Sequence, residues 1–255
     1  MKELFNLKGR TALVTGGSQG IGKGITLALA EFGANVVINF HSGVETAKQT
    51  KAEAEKLGAK VWLWQFDLAQ ANVKQSWLDF AEKNGCPVDI VVANASVQYR
   101  HEWFDITEDE FASQINVNLR STLELMQAAV PHMKANGWGR ILTIGSVQQA
   151  RPNRYMAAYA ASKSGIVNMV KNVAARVAPF GITVNNIAPG VFETARNREV
   201  LSDAAFRKDI ESKIPVGFVG EPKDCAATAL LLCSDAGRYI TGADFFVDGG
   251  FSLFI

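Results

Sequence analysis

Cysteine is scarce in this 255-residue chain: Cys86, Cys225 and Cys233 are odd in number and lack metal or redox spacing. That argues against a disulfide framework and predicts buried thiols in a reducing compartment. Histidine is equally sparse; His41, His101 and His132 are scattered, and no metal-ligand set is expected. Charge of either sign is hardly in excess. With 26 Lys and Arg against 25 Asp and Glu, the net charge is +1, which argues against nucleic acid or an anionic membrane surface as partner. No apolar run reaches the length of a membrane span, and Met1-Lys2-Glu3-Leu4-Phe5 does not read as the start of a signal peptide. Linkers, repeats and low-complexity tracts are absent too. The expectation is a soluble, cytoplasmic protein without a membrane or nucleic-acid partner.

What is there is a regular alternation. Short apolar runs at 10–15, 35–40, 60–66, 88–93, 139–145, 181–187 and 243–247 read as strands. Helix-like stretches at 21–32, 44–57, 71–84, 107–134, 157–178 and 222–234 separate them. Segments such as VVIN and DIVVA are apolar on both faces, as in a sheet covered on both sides. The pattern predicts a single α/β domain over 1–255, a Rossmann-like, doubly wound parallel sheet of about seven strands with helices on both faces. The segment from Glu193 to Pro215 breaks the alternation and carries many charges.

Two local patterns carry chemistry. After the first strand comes Gly16-Gly17-Ser18-Gln19-Gly20-Ile21-Gly22, and then a helix. Backbone N–H groups and the dipole at a helix N-terminus form an anion site that glycines let a pyrophosphate approach. The spacing differs from the commoner G-x-G-x-x-G, and a plain tight turn is the alternative; the position between strand and helix favours a dinucleotide. The second pattern is Tyr159-Ala160-Ala161-Ser162-Lys163, thirteen residues after Ser146. Tyr and Lys four apart on a helix share a face, and a nearby cation lowers the pKa of a phenol. Tyr159 is therefore a candidate general acid and base.

Together, Thr15-Gly16-x-x-x-Gly20-Ile21-Gly22 with Ser146, Tyr159 and Lys163 resemble the short-chain dehydrogenase/reductase family. The resemblance runs nearly end to end and takes in Asp67, Asn118, Pro189-Gly190 with Thr194, and Asp248-Gly249-Gly250. It implies hydride transfer between a nicotinamide cofactor and a carbonyl or secondary alcohol. In that reading Tyr159 moves the proton and Ser146 holds the substrate oxygen. Lys163 binds the nicotinamide ribose and tunes Tyr159, and Asn118 holds a water that links Lys163 to solvent. Gly16, Ser18, Gln19, Gly20, Ile21, Gly22, Asn94, Ala95, Pro189, Gly190, Val191 and Thr194 would line the cofactor.

At the adenosine end the chain reads Asn39-Phe40-His41-Ser42. Phe40 stands where NAD-using relatives carry Asp, so repulsion of a 2′-phosphate is removed, and His41 and Ser42 are its candidate partners. Gln19 stands where NADP-using relatives often place Arg. NADP(H) is favoured, with NAD(H) possible. Asp67 is expected at the adenine amino group, with Leu68 against the ring; a helix cap is the alternative for Asp67. The fourth strand ends Ala93-Asn94-Ala95-Ser96, where the family usually has Asn-Asn-Ala-Gly. Ser96 thus requires either a backbone compatible with a side chain or a slightly different nicotinamide position.

Arg100, His101, Gln148, Arg151 and Arg154 follow strand C-termini and are expected to line the substrate pocket with Ser146 and Tyr159. Such donor-rich walls suit a sugar, sugar acid or polyol, and these loops resemble gluconate 5-dehydrogenases of the family. The body of the chain also resembles 3-oxoacyl-carrier-protein reductases, and a non-enzymatic cofactor-binding sensor is the remote alternative. The resemblance further implies a homotetramer and a substrate-covering loop and helices at about 191–215. The apolar tail at 251–255 is expected to bury against a neighbouring subunit or under that cover.

Overall fold

Strands that are apolar at nearly every position need cover on both sides. The computed structural model of the chain describes residues 1–253. Its seven-stranded sheet has the order β3-β2-β1-β4-β5-β6-β7. The strands are β1 (Thr11–Thr15), β2 (Asn35–Phe40), β3 (Val61–Gln65), β4 (Ile90–Ala93), β5 (Gly139–Ile144), β6 (Ile182–Pro189) and β7 (Asp244–Val247). Every pairing is parallel. The helices are α1 (Gly20–Glu31), α2 (Val44–Lys56), α3 (Val73–Asn84), α4 (Glu108–Ile115), α5 (Ser121–Asn136) and α6 (Ala157–Val177), followed by α7 (Arg198–Ser202), α8 (Ala204–Ser212) and α9 (Pro222–Cys233).

Successive residues of β1 serve opposite cores, as a period of two dictates. Ala12 and Val14 pack with Ile25 and Leu29 of α1 and with Ala226 and Ala229 of α9. Leu13 packs on the other face with Leu125 of α5 and Ile166 and Val170 of α6. Helices α1 and α9 approach closely: a Cβ on Gly24 would stand 2.9 Å from the Pro222 carbonyl oxygen. The strand order reverses at β1 and β4, and ligands of such sheets bind beyond the strand C-termini at that point. Cys86, Cys225 and Cys233 are free and buried, and burial pushes the Cys225 and Cys233 thiols up to about 12. Among the described residues no helix is long and apolar enough to cross a membrane.

The sequence-derived strands and the five other helices lie within two residues of the observed ones, but the helix expected over 107–134 is interrupted. Residues 116–120 form a π turn between α4 and α5. The widened turn is held from outside and within. Asn118 joins its side chain to the Val97 backbone and Ser162, while the Ser121 and Thr122 hydroxyls donate to the carbonyls of Val117 and Asn118. Past β6, α7 and α8 occupy the charged segment. Leu201 and Ile214 pack there with Val147, Val219 and Phe251, with Ile210 against them. Phe251 therefore buries beneath this segment, whereas Leu253 of the expected tail is exposed; Phe254 and Ile255 lie outside the described residues.

Candidate active site

The glycine turn is shaped by steric necessity. Gly16 and Gly20 have φ of +59° and +54°, a region that side chains disfavour. A Cβ on Gly22 would stand 2.2 Å from the Gly16 carbonyl oxygen. The turn is tied to β4 through Asn94, whose Nδ2 donates to the carbonyls of Thr15 (2.8 Å) and Gly16 (3.2 Å). Thr15 Oγ1 in turn accepts from the N–H groups of Asn94 and Ala95. Ser18 is buried, its carbonyl accepting from Thr50. Gln19 caps α1 without a side-chain hydrogen bond, so no side chain competes for the first-turn N–H groups. A dinucleotide pyrophosphate fits this cradle, because it supplies the acceptor those donors lack. Across the turn, a Cβ on Gly20 would meet Thr194 Cγ2 at 3.4 Å. The segment after Pro189 and Gly190 thus runs over the same cradle.

At the adenosine end, His41 Nε2 stands 3.8 Å from Asp67 Oδ2, so two of the expected cofactor residues are neighbours. Asp67 also accepts from the Ala69 N–H at 2.9 Å, a turn within the loop rather than the alternative of a helix cap, since the N-cap of α3 is Asn72. Phe40 and Leu68 are buried.

Tyr159 and Lys163 lie on one face of α6, the lysine Nζ 5.6 Å from the centre of the phenol ring. Both are buried, and Lys163 Nζ donates to the Ile144 carbonyl at 2.7 Å. Ser146, Ser96 and Arg196 are the side chains that act on the Tyr159 hydroxyl. Ser146 follows β5 and is set by its surroundings. Its Oγ accepts from the Gln148 N–H at 3.2 Å, and its own N–H meets Gln149 Oε1 at 3.4 Å. Behind it Gln149 and Asn186 both donate to Asp244, at 2.6 and 2.7 Å. Asn118 shares Ser162 with Tyr159: the Ser162 hydroxyl accepts from Asn118 and donates to the Tyr159 carbonyl.

Burial governs the charges here more than pairing does. It pulls Lys163 down to about 7, with the positive charge of Arg196 adding to the effect. It pushes Tyr159 up, opposed first by the Arg196 charge and then by the hydrogen bonds from Ser146, Ser96 and Arg196. The spacing argument anticipated a phenol lowered by Lys163; the cation that acts on it is Arg196.

Arg196 is the residue that sequence reasoning missed. Its Nη2 donates to the Ser96 carbonyl at 2.7 Å and reaches the Ser96 hydroxyl at 3.2 Å. The available signal was its position two residues past Thr194. Ser96 itself needs no unusual backbone: Asn72 is the one non-glycine residue with positive φ among the described residues.

The other expected pocket residues are engaged elsewhere. His101 meets Glu110 at 2.8 Å and Arg154 meets Glu102 at 2.6 Å. Arg100 stands over Tyr155 and Arg151 over Phe251. Gln148 is different, because its buried Oε1 has no hydrogen-bond partner.

Comparison with known proteins gives the chain its family. A family model described as enoyl-(acyl carrier protein) reductase matches residues 16–252. The chain is 36% identical to 3beta-hydroxysteroid dehydrogenase 1 of Eggerthella lenta, covering 98% of this chain and 96% of the relative. It is 35% identical to 2-dehydro-3-deoxy-D-gluconate 5-dehydrogenase of Bacillus subtilis, covering 98% and 97%. Among solved structures, a gluconate 5-dehydrogenase from Burkholderia cenocepacia in complex with NADP and tartrate superposes with a TM-score of 0.91 at 34% identity, covering 100% and 99%. The chain belongs to the short-chain dehydrogenase/reductase family of oxidoreductases.

Proposed function

We propose that the chain interconverts a carbonyl and a secondary alcohol on a small hydroxylated substrate, a sugar acid first and a sugar or polyol next, with NADP(H) favoured over NAD(H). The observation that carries the substrate class is Gln148. Its buried, unpartnered Oε1 lies two residues past Ser146, and a buried acceptor without a donor is costly. A substrate hydroxyl beside the reacting carbon supplies that donor. The Bacillus subtilis and Burkholderia cenocepacia relatives, both named for gluconate-type substrates, support the reading.

The nicotinamide cofactor supplies the hydride acceptor or donor. It would be held by the turn from Gly16 to Gly22, by Asn94, Ala95, Pro189, Gly190, Val191 and Thr194, and at its adenosine end by Phe40, His41, Ser42, Asp67 and Leu68. Tyr159 gives a proton to the substrate oxygen in reduction and takes it in oxidation. Ser146 fixes that oxygen with a hydrogen bond, positioned from behind by Gln149 and Asp244. Lys163 holds the ribose and, once an anionic neighbour restores its charge, favours the phenolate. The Asn118 side chain is occupied by Val97 and Ser162 and its carbonyl accepts from Thr122, so a water would take the second lone pair of that carbonyl.

The whole chain acts as one domain, with 191–215 as the substrate cover. A homotetramer in the cytosol completes the reading. The exposed Trp103, Phe104 and Phe111 near α4 support assembly; sedimentation at monomer mass overturns it, and recovery outside the cytosolic fraction overturns the location.

The test is turnover of NADP+ and NAD+ with gluconate-type acids, free sugars and polyols, beside NADPH with a short 3-oxoacyl thioester. Turnover of an acid or polyol is expected. Turnover of the thioester alone overturns the substrate reading. For the cofactor, Phe40→Asp is expected to shift the NADP+ to NAD+ ratio of kcat/KM toward NAD+ by at least about tenfold, through repulsion of the 2′-phosphate. A ratio that stays put in a variant that melts normally shows that β2 does not end at the adenosine ribose.

A further inference from the structure

We propose that Arg196 is the specificity-determining residue of this site: a guanidinium tethered to Ser96 beside Tyr159 that receives the carboxylate of an anionic substrate. The inference deepens the reading of the site as one for sugar acids and rests on it.

The argument starts from what Arg196 is bonded to. One nitrogen, Nη2, is anchored on the Ser96 carbonyl and hydroxyl. Apart from the Tyr159 hydroxyl, no described residue engages the remaining guanidinium N–H groups, which leaves donors for the grip that arginine makes on a carboxylate. The anchor holds the guanidinium just past the C-terminus of β4, next to Asn94 and Ala95, which bind Thr15 of the glycine turn, and Ser96 and Arg196 both act on the Tyr159 hydroxyl.

Charge points the same way. Among the described residues no carboxylate forms an ion pair with Arg196. Glu193, three residues earlier, is taken by Arg207 at 3.1 Å. Lys163, the other cation here, is bonded to the Ile144 carbonyl. The guanidinium acts on the phenol with no described acid paired to it, and an anionic substrate supplies the balance.

The arginine and histidine residues after β4 and β5 are poorer candidates. Glu110 and Glu102 already hold His101 and Arg154, whereas Arg100 and Arg151 lie on aromatic rings. Ser96 acquires a purpose at the same time. A glycine there would keep the carbonyl anchor but lose the hydroxyl that joins Arg196 to Tyr159.

The test compares D-gluconate with D-glucitol, which differ in having a carboxylate or a hydroxymethyl group at C1. Wild type, Arg196→Lys and Arg196→Met are assayed with NADP+ on both. Arg196→Met is expected to lose kcat/KM on gluconate by about 30- to 100-fold more than on glucitol, mainly through KM, with Arg196→Lys between. Equal losses on the two substrates overturn the inference and leave the polar-substrate reading standing.

A second measurement separates the two failures. Tartrate is titrated into the NADPH complexes of wild type and Arg196→Met and followed by nucleotide fluorescence. At least about tenfold weaker binding by the variant is expected. No binding to wild type, or equal binding to both, overturns the role of Arg196. If neither gluconate nor glucitol turns over, the polar-substrate reading fails and the tartrate titration still decides the role of Arg196.

Discussion

Tyr159→Phe is expected to fold and to bind NADPH while turning over substrate at least about 10²-fold more slowly. The substitution removes one oxygen and little else. The ring stays buried on α6, so the packing that places Lys163 and the Ser162 link to Asn118 are retained. What goes is the group on which Ser146, Ser96 and Arg196 converge. None of the three replaces it. Serine hydroxyls are far weaker acids than a phenol, and Arg196 is held on Ser96 as a hydrogen-bond donor. Ser146 is buried and loses a polar neighbour, so a modest fall in Tm accompanies the loss of rate. Steady-state kcat and an NADPH titration on the same preparation separate the two effects. Wild-type turnover with normal cofactor binding would mean that the proton comes from elsewhere. Weakened NADPH binding in step with kcat would mean that the phenol holds the cofactor rather than the substrate oxygen.

The fold is legible in the chain because its signals are local. TALVT and NVVINF are short, β-rich and apolar on both faces, and each is bounded by a turn or a helix start, so a covered parallel strand is the one consistent assignment. The glycine turn is legible for the same reason: strand, turn and helix are contiguous. The π turn at 116–120 is not. NVNLR contains no glycine or proline to mark a break, and what widens the helix is Asn118 reaching Val97, twenty-one residues away. Arg196 escapes for a stronger version of this reason, since its anchor lies one hundred residues earlier. Ser96 stands out in the sequence as a departure, yet without its partner it reads as a steric question about backbone shape. The shared face of Tyr159 and Lys163 follows from helical spacing, but their burial depends on the sheet beneath and the segment above. That is why the direction of the phenol's shift differs from the expectation based on spacing alone. The loop cations mislead in the opposite sense: Arg154 and His101 look available until Glu102 and Glu110 fold onto them.

Lys163→Met is expected to cut turnover by about 10³-fold and yet to melt higher than wild type below about pH 7. An ammonium at 2% exposure has lost most of its hydration, and the neighbouring charge that acts on it is the like charge of Arg196. The folded chain therefore gives up this proton near 7, whereas the unfolded chain keeps it to about 10.4. Between those values the unfolded state binds more protons, so the Lys163 contribution to stability rises with pH; below about 7 the folded state bears the full cost of the buried charge. Methionine fills a similar volume without that cost. Its advantage is then a few kcal/mol at pH 6, or about 10 °C in Tm for a chain of this length. The advantage shrinks steadily toward pH 10 as wild type no longer has to bury a charge. Tyr159, pushed up from 10.0, stays protonated across this window and does not obscure the trend. Melting curves of both proteins from pH 6 to 9.5 without added nucleotide measure it. A Tm difference independent of pH would show that Lys163 does not titrate here, and a less stable variant at pH 6 would show that its bond to the Ile144 carbonyl outweighs its desolvation. The expected outcome makes Lys163 a destabilising residue that the sheet and helices around it carry for the chemistry at Tyr159.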